Sequence, residues 1–116
     1  MPLKALFLNC TLKRSPETSN TEAFIKNAEK MFHELDVETE SIRVVDHNVK
    51  FGNSSDEGEG DGWPGILKKV KASDIMIIAT PIWRGDRSAV AKLVAERFDG
   101  IWSEANKENG QFPTYN

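Results

Sequence analysis

"LKALFLNCTLKRSPETSNTEAF", residues 3–24, carries three pieces of chain in succession. Leu3 to Leu8 is a short apolar run that passes at once into polar residues, the pattern of a buried strand. A loop follows, with Cys10 at its start and Thr11, Ser15, Thr18, Ser19, Asn20 and Thr21 along it. Phe24, Ala28, Met31, Phe32 and Leu35 then recur at i, i+4, i+7, i+8 and i+11, one face of an amphipathic helix. Ser19 and Glu22 read as a capping box at the start of that helix. The unit is strand, loop, helix, and the rest of the chain repeats it.

"VETESIRVVD", residues 37–46, mixes alternation with β-branched side chains and predicts a second strand near an edge of the sheet. Residues 47–62 bring Gly, Ser and acidic side chains without periodicity and predict a loop. Pro64 can open a second helix, with Ile66, Leu67 and Val70 on its apolar face. "DIMIIAT", 74–80, is nearly continuous aliphatic, as in a strand covered on both faces. A third helix is expected from about Ser88, with Val90, Leu93, Val94, Phe98 and Ile101 on one side. Alternation of this kind means a parallel sheet with helices on both faces, a doubly wound α/β fold. Ligands of such sheets bind beyond the carboxyl ends of the strands. Two loops belong there: the one after the first strand, and "TPIWRGDRS", 80–88, after the third.

The totals agree with one domain over residues 1–116, the last residues, 104–116, forming an exposed connector. An apolar fraction of 39% and a charged fraction of 28% fit a globular chain, and a net charge of −3 gives no electrostatic reason to expect nucleic acid. No apolar stretch reaches the ~18 residues of a membrane span, and the N-terminus is too short for a signal peptide, so no membrane is expected as partner. A single cysteine excludes an internal disulfide and fits a reducing compartment, the cytoplasm.

Cys10 invites comparison with phosphatases that attack a phosphate from a loop of spacing Cys-x5-Arg. Here the sixth residue after Cys10 is Pro16 and the arginine is Arg14, two places early, so the backbone ring and the guanidinium grip do not coincide. Cys10 then reads as a small side chain ending a strand. Neither GxxxxGK[ST] nor G-x-G-x-x-G is present, and Asn9 and Cys10 stand where a phosphoreceiver would need acids. What remains is a hydroxyl-rich loop running into a helix N-terminus, whose free N–H groups and dipole suit an anion. Lys13 or Arg14 adds charge; equally, the same residues serve only to cap the helix, and Glu22 in the first turn competes with a phosphate. The acids at 56–61 lack an EF-hand's ligand spacing and read as a solvated loop. His33 and His47 have no partner at metal-ligand spacing, so no metal site is expected.

Taken together, "NCTLKRSPETSNTEAFI" and "ATPIWRGDRSAVAKLVAERFDG" resemble the flavodoxin-like NAD(P)H-dependent FMN reductases and quinone oxidoreductases. The resemblance implies a flavodoxin-like sheet of order 2-1-3, FMN as cofactor and NAD(P)H as co-substrate. It assigns the FMN phosphate to Thr11, Lys13, Ser15, Ser19, Asn20 and Thr21, and the ring or ribityl chain to Pro81, Ile82, Trp83, Arg84 and Gly85. Trp83 as plain core and Arg84 as a surface charge are the alternatives. The flavin carries the chemistry in such a family, and no side chain need be a covalent catalyst. The implied reaction moves a hydride to a quinone, free flavin or similar small-molecule acceptor; an electron carrier, or a truncated module with weak or no FMN binding, is the alternative.

Members of that family continue through two further strands, a fourth and a fifth, that this chain does not contain. In a 2-1-3 sheet the strand at 74–80 is an edge, yet it is almost wholly aliphatic and after Asp74 lacks the charges or prolines that protect edges. A homo-oligomer or a missing C-terminal half is therefore expected to cover it.

Overall fold

The computed structural model describes residues 2–101 and residue 104. The apolar run forms β1, Lys4–Asn9, with every residue after Lys4 buried, and β1 is the middle strand of a three-stranded sheet. β2, Glu38–Arg43, and β3, Ile75–Ala79, flank it in the order 2-1-3. Both pairings are parallel, with Leu8 opposite Ile42 on one side and Ile78 on the other. This is the flavodoxin-like arrangement expected from the sequence. The expected second strand is shorter at its end, because Val44–His47 turns into a 3-10 helix that points Val44 into the core.

Helix α1, Asn20–Glu34, packs on one face of the sheet, and α2, Trp63–Ala72, with α3, Ala89–Arg97, packs on the other. Alternation along β1 divides the core accordingly: Ala5 and Phe7 face α1, while Leu6 and Leu8 face Trp63, Ile66, Leu67, Ala91 and Val94. Phe7 meets Phe32 edge to face with ring centroids 5.6 Å apart. The apolar stripe expected on α1 is corrected in part. Ile25, Ala28 and Phe32 form the packed face, and Phe24, Met31 and Leu35 are 68%, 67% and 74% exposed. The sheet is only three strands wide, so it covers one edge of a stripe this broad.

β3 is the exposed edge that a 2-1-3 order requires. Met76 and Ile78, in register with Leu6 and Leu8, are each 38% exposed, so the expectation of a strand covered on both faces does not hold among the described residues. After it, "TPIWRGDRS" is a short hairpin rather than a plain loop. β4, Ile82–Trp83, pairs antiparallel with β5, Asp86–Arg87. Arg84 and Gly85 at its tip have φ of 52° and 78°, the two left-handed residues of a type I′ turn.

The segment at 47–62 is a loop, as expected, though its acids are not all solvated. It is a folded loop closed at its neck, where the Gly62 N–H donates to the Asn48 carbonyl (3.1 Å). A Cβ on Gly62 would stand 1.5 Å from the His47 oxygen, so only glycine fits there. Inside the loop the Asp61 side chain is sealed from solvent and paired with Arg97 of α3. Residues 105–116, most of the expected connector, lie outside the described residues.

Candidate functional site: the cleft between the two loops

β1 ends in Asn9 and Cys10, and β3 ends in Ala79 and Thr80; parallel pairing brings these ends together. The Cys10 N–H donates to the Ala79 carbonyl (2.8 Å), and the Thr11 N–H donates to Asn9 Oδ1 (3.0 Å). Ser88, the N-cap of α3, ties the second loop to the first. Its hydroxyl donates to the Cys10 carbonyl (2.7 Å) and accepts from the Ala91 N–H (3.1 Å), while its own N–H donates to Thr80 Oγ1 (3.0 Å). Cys10 is fully buried, and burial pushes its thiol up to about 12, so it is no nucleophile at neutral pH.

The two loops bound a cleft of about 520 Å³. Asn20, Thr21 and Phe24 of α1 line one side, and residues 78–82 line the other. Four residues marked in the sequence, Asn20, Thr21, Pro81 and Ile82, thus meet in one cavity. Trp83, Arg84 and Gly85 continue from Ile82 into the hairpin; Trp83 is 59% exposed, so it is not core. An aromatic ring held in solvent by a two-residue strand is an open face for a flat ligand.

At the phosphate side, the Ser19 hydroxyl accepts from the Glu22 N–H (3.1 Å), so Ser19 is the α1 N-cap as expected. The other half of the capping box is absent. The Glu22 carboxylate instead meets the Arg43 guanidinium at 2.7 Å. The Asn20 and Thr21 N–H groups, first in the helix, have no intrahelical acceptor, and both residues line the cleft. Thr11 is buried and its hydroxyl accepts from the Lys13 N–H (3.3 Å), and Lys13 is exposed. Ser15 is committed elsewhere: its N–H and hydroxyl donate to Asp46 Oδ1 (2.9 Å) and Oδ2 (2.6 Å), which holds the Asp46 carboxyl below the usual range.

Arg43 and Asp46 went unread in the sequence. Arg43 ends β2 and Asp46 follows in the 3-10 turn, and only the parallel β1–β2 pairing makes them neighbours of the loop after β1. No group of His, Cys, Asp and Glu fit to hold a metal is found among the described residues. Nor is any helix among them long and apolar enough to cross a membrane.

A parallel 2-1-3 sheet with its cleft at the carboxyl ends of β1 and β3 defines a flavodoxin-like α/β protein. More closely, the model of the NADPH-dependent FMN reductase family matches residues 3–109, and the chain belongs to that family. It is 37% identical to the 8-demethyl-8-aminoriboflavin-5'-phosphate synthase of Streptomyces davaonensis, over all of this chain and 48% of that protein. It is 39% identical to a segment of the divalent metal cation transporter MntH of Mycobacterium bovis, covering 97% of this chain and 17% of that protein. Among solved structures it resembles RosB with the bound intermediate 8-demethyl-8-formylriboflavin-5'-phosphate. That match has a TM-score of 0.77 at 37% identity, over 97% of this chain and 48% of that one. The chain thus spans about half the length of RosB and less than a fifth of MntH.

Proposed function

We propose that the cleft binds FMN and that the chain is the flavin-holding part of an oxidoreductase that moves a hydride from NAD(P)H to a quinone, free flavin or similar small acceptor. The observation that carries this reading is the meeting of the α1 N-terminus with the Pro81–Ile82 loop in one cavity. The donors fit the group. Asn20 and Thr21 N–H groups and the α1 dipole suit a phosphate dianion, and Lys13, exposed on the loop after β1, adds a cation. Thr80, Pro81 and Ile82 offer a short, mostly apolar wall, and Trp83 an exposed ring. FMN, when bound, supplies the hydride chemistry. The protein's own work is to hold the phosphate, orient the ring against residues 80–83 and shield one of its faces.

The exposed β3 edge supports a further element of the proposal. A second copy, or polypeptide equivalent to the rest of the longer relatives, covers Met76 and Ile78 in the working protein. The single, buried, reduced cysteine is consistent with work in the cytoplasm.

The likeness to a flavin-modifying synthase favours a second reading, in which the phosphorylated flavin is substrate rather than cofactor. One experiment separates the readings. Purified chain is titrated with FMN by fluorescence quenching, then incubated with NADPH and a quinone, and the flavin is recovered for mass spectrometry. NADPH consumption with FMN recovered unchanged supports the oxidoreductase; an altered flavin mass supports the modifying enzyme. Bound FMN with neither result leaves the electron carrier, and absence of quenching refutes the flavin site.

A further inference from the structure

We infer that Arg43 is a positioning residue for the phosphate end of the cleft: it makes the α1 N-terminus usable by a dianion, and so sets a preference for phosphorylated over unphosphorylated flavin. The inference rests on the flavin site proposed above. The difficulty it resolves is Glu22. A carboxylate in the first turn of α1 occupies the same positive end of the dipole that a phosphate would use, and two anions there repel. The structure supplies a counter-charge. Arg43 Nη2 donates to Glu22 Oε2 at 2.7 Å, and Nη1 donates to the carbonyls of Glu17 (2.9 Å) and Lys13 (3.2 Å).

One guanidinium thus does two things. It neutralises Glu22, and it pins both ends of the turn that runs from Lys13 to Glu17. Its side chain is only 8% exposed, so its geometry is constrained on all sides, although Glu22 itself is 43% exposed and the pair is partly screened. The planar fork is what allows three acceptors on three residues to be held at once, and a lysine offers only a point charge. Asp46, tied to Ser15 on the same loop, is a second carboxylate that feels the Arg43 charge. Without Arg43, the loop would present Glu22 and Asp46 to an incoming phosphate with no buried cation between them. The carbonyls of Lys13 and Glu17 would also lose their donor. Riboflavin, which has no phosphate, would feel neither change.

The test compares two ligands that differ only in that phosphate. FMN and riboflavin are titrated by fluorescence quenching on the wild type and on R43A, R43K, E22Q and R43A/E22Q, with thermal melts alongside. R43A should weaken FMN about tenfold, because Glu22 is then uncompensated at the phosphate end, and riboflavin less than about twofold. R43A/E22Q should recover about half of that loss on a logarithmic scale, because removing the carboxylate removes the need for its counter-charge. Equal losses for both flavins, or no recovery in the double variant, would mean that Arg43 acts only on stability and would overturn the inference. Should R43A lack a cooperative melt, R43K and E22Q decide. R43K should weaken FMN about threefold and E22Q should tighten it about twofold, each with riboflavin unmoved; FMN affinities unchanged in both overturn the inference. A wild type that binds neither flavin removes the site itself, whereas a wild type that prefers FMN and an R43A that matches it remove only the role of Arg43.

Discussion

Arg97 and Asp61 face each other across 36 residues of sequence in a two-pronged contact. Nη1 lies 2.9 Å from Oδ1 and Nη2 lies 2.6 Å from Oδ2, with neither side chain open to solvent. Arg97 spends its remaining donors on the carbonyls of Ser54 (3.0 Å) and Lys50 (2.9 Å), and Asp61 also accepts from the N–H groups of Lys50, Glu57 and Trp63. The guanidinium lies 5.7 Å from the Trp63 ring centroid. A buried pair is tolerated only when its polar atoms are hydrogen-bonded, and here each side-chain nitrogen of Arg97 and each carboxylate oxygen of Asp61 has a partner. The pair clasps the loop at 50–61 onto α3, so one acid of a loop that looks solvated in the sequence is sealed from water while most of its neighbours stay at the surface.

Removing one partner leaves the other charged and buried. Arg97→Ala or Asp61→Asn should each cost about 3–5 kcal/mol, a large share of the stability of a domain this size. Urea unfolding followed by tryptophan fluorescence measures it; a loss under about 1 kcal/mol would show the pair to be dispensable. Replacing both together, for example by R97M/D61L, should cost less than either single change, because no charge is stranded.

The same pair predicts an acid response. Arg97 first, then the backbone N–H groups, hold the Asp61 carboxyl well below its ordinary range. A depressed folded-state pKa contributes stability that is fully present above the unfolded value of ~3.9 and is lost as pH falls toward the folded value. The urea midpoint of the wild type should therefore be insensitive to Asp61 above about pH 5 and fall below about pH 4. Asp61→Asn should start lower and decline less over that acid range. Parallel declines in the two proteins would contradict the assignment.

Burial of Cys10 predicts chemical silence. With its thiol pushed up to about 12 and no exposed surface, native protein at pH 8 should not react with a thiol reagent on the time scale of minutes. The denatured chain should react at once. Rapid labelling of the native state would show that β1 and α3 open locally around it.

Ser88 is the pin between the loops. Ser88→Ala removes the donor to Cys10 and the α3 cap together, and should cost about 1–2 kcal/mol by thermal melt. On the proposed flavin site it should also loosen FMN, because the far end of the 80–88 loop loses its hydrogen bond to the Cys10 carbonyl. Unchanged FMN affinity in a folded S88A would separate the pin from the ligand.

Trp83 should report FMN directly. Trp83 is 59% exposed and follows Ile82, which lines the cleft, so on the proposed flavin site FMN should quench tryptophan emission in the wild type and quench it less in Trp83→Phe. Trp83→Ala should weaken FMN about tenfold through lost stacking, with little change in melting temperature since the ring is not packed in the core. A large fall in melting temperature would return Trp83 to the core.

Much of the fold was legible because it rests on local patterns. The aliphatic runs of β1 and β3, the Ser19 and Ser88 caps and Pro64 at the start of α2 each announce themselves within a few residues. The handedness of parallel crossovers leaves few orders for these elements, and the resemblance to the FMN reductases implies the 2-1-3 order that the sheet has. The hairpin was missed because Arg-Gly is a weaker signal than Asn-Gly for a type I′ turn, and Arg84 must adopt a positive φ there. Arg97 was missed because an arginine in the last turn of a helix reads as a favourable surface charge at the dipole's end.

What the sequence determined by itself is the succession of strands and helices and the two loops that meet at the carboxyl ends of β1 and β3. Hydrophobic period and capping chemistry are local and survive without a tertiary context. Only the tertiary structure decided which charges matter. Arg43 reaches the loop after β1 because β2 lies parallel to β1, and Arg97 finds Asp61 because α3 packs over the loop at 50–61. An ion pair depends on distance and on exclusion of water, and neither is encoded at any fixed spacing along the chain.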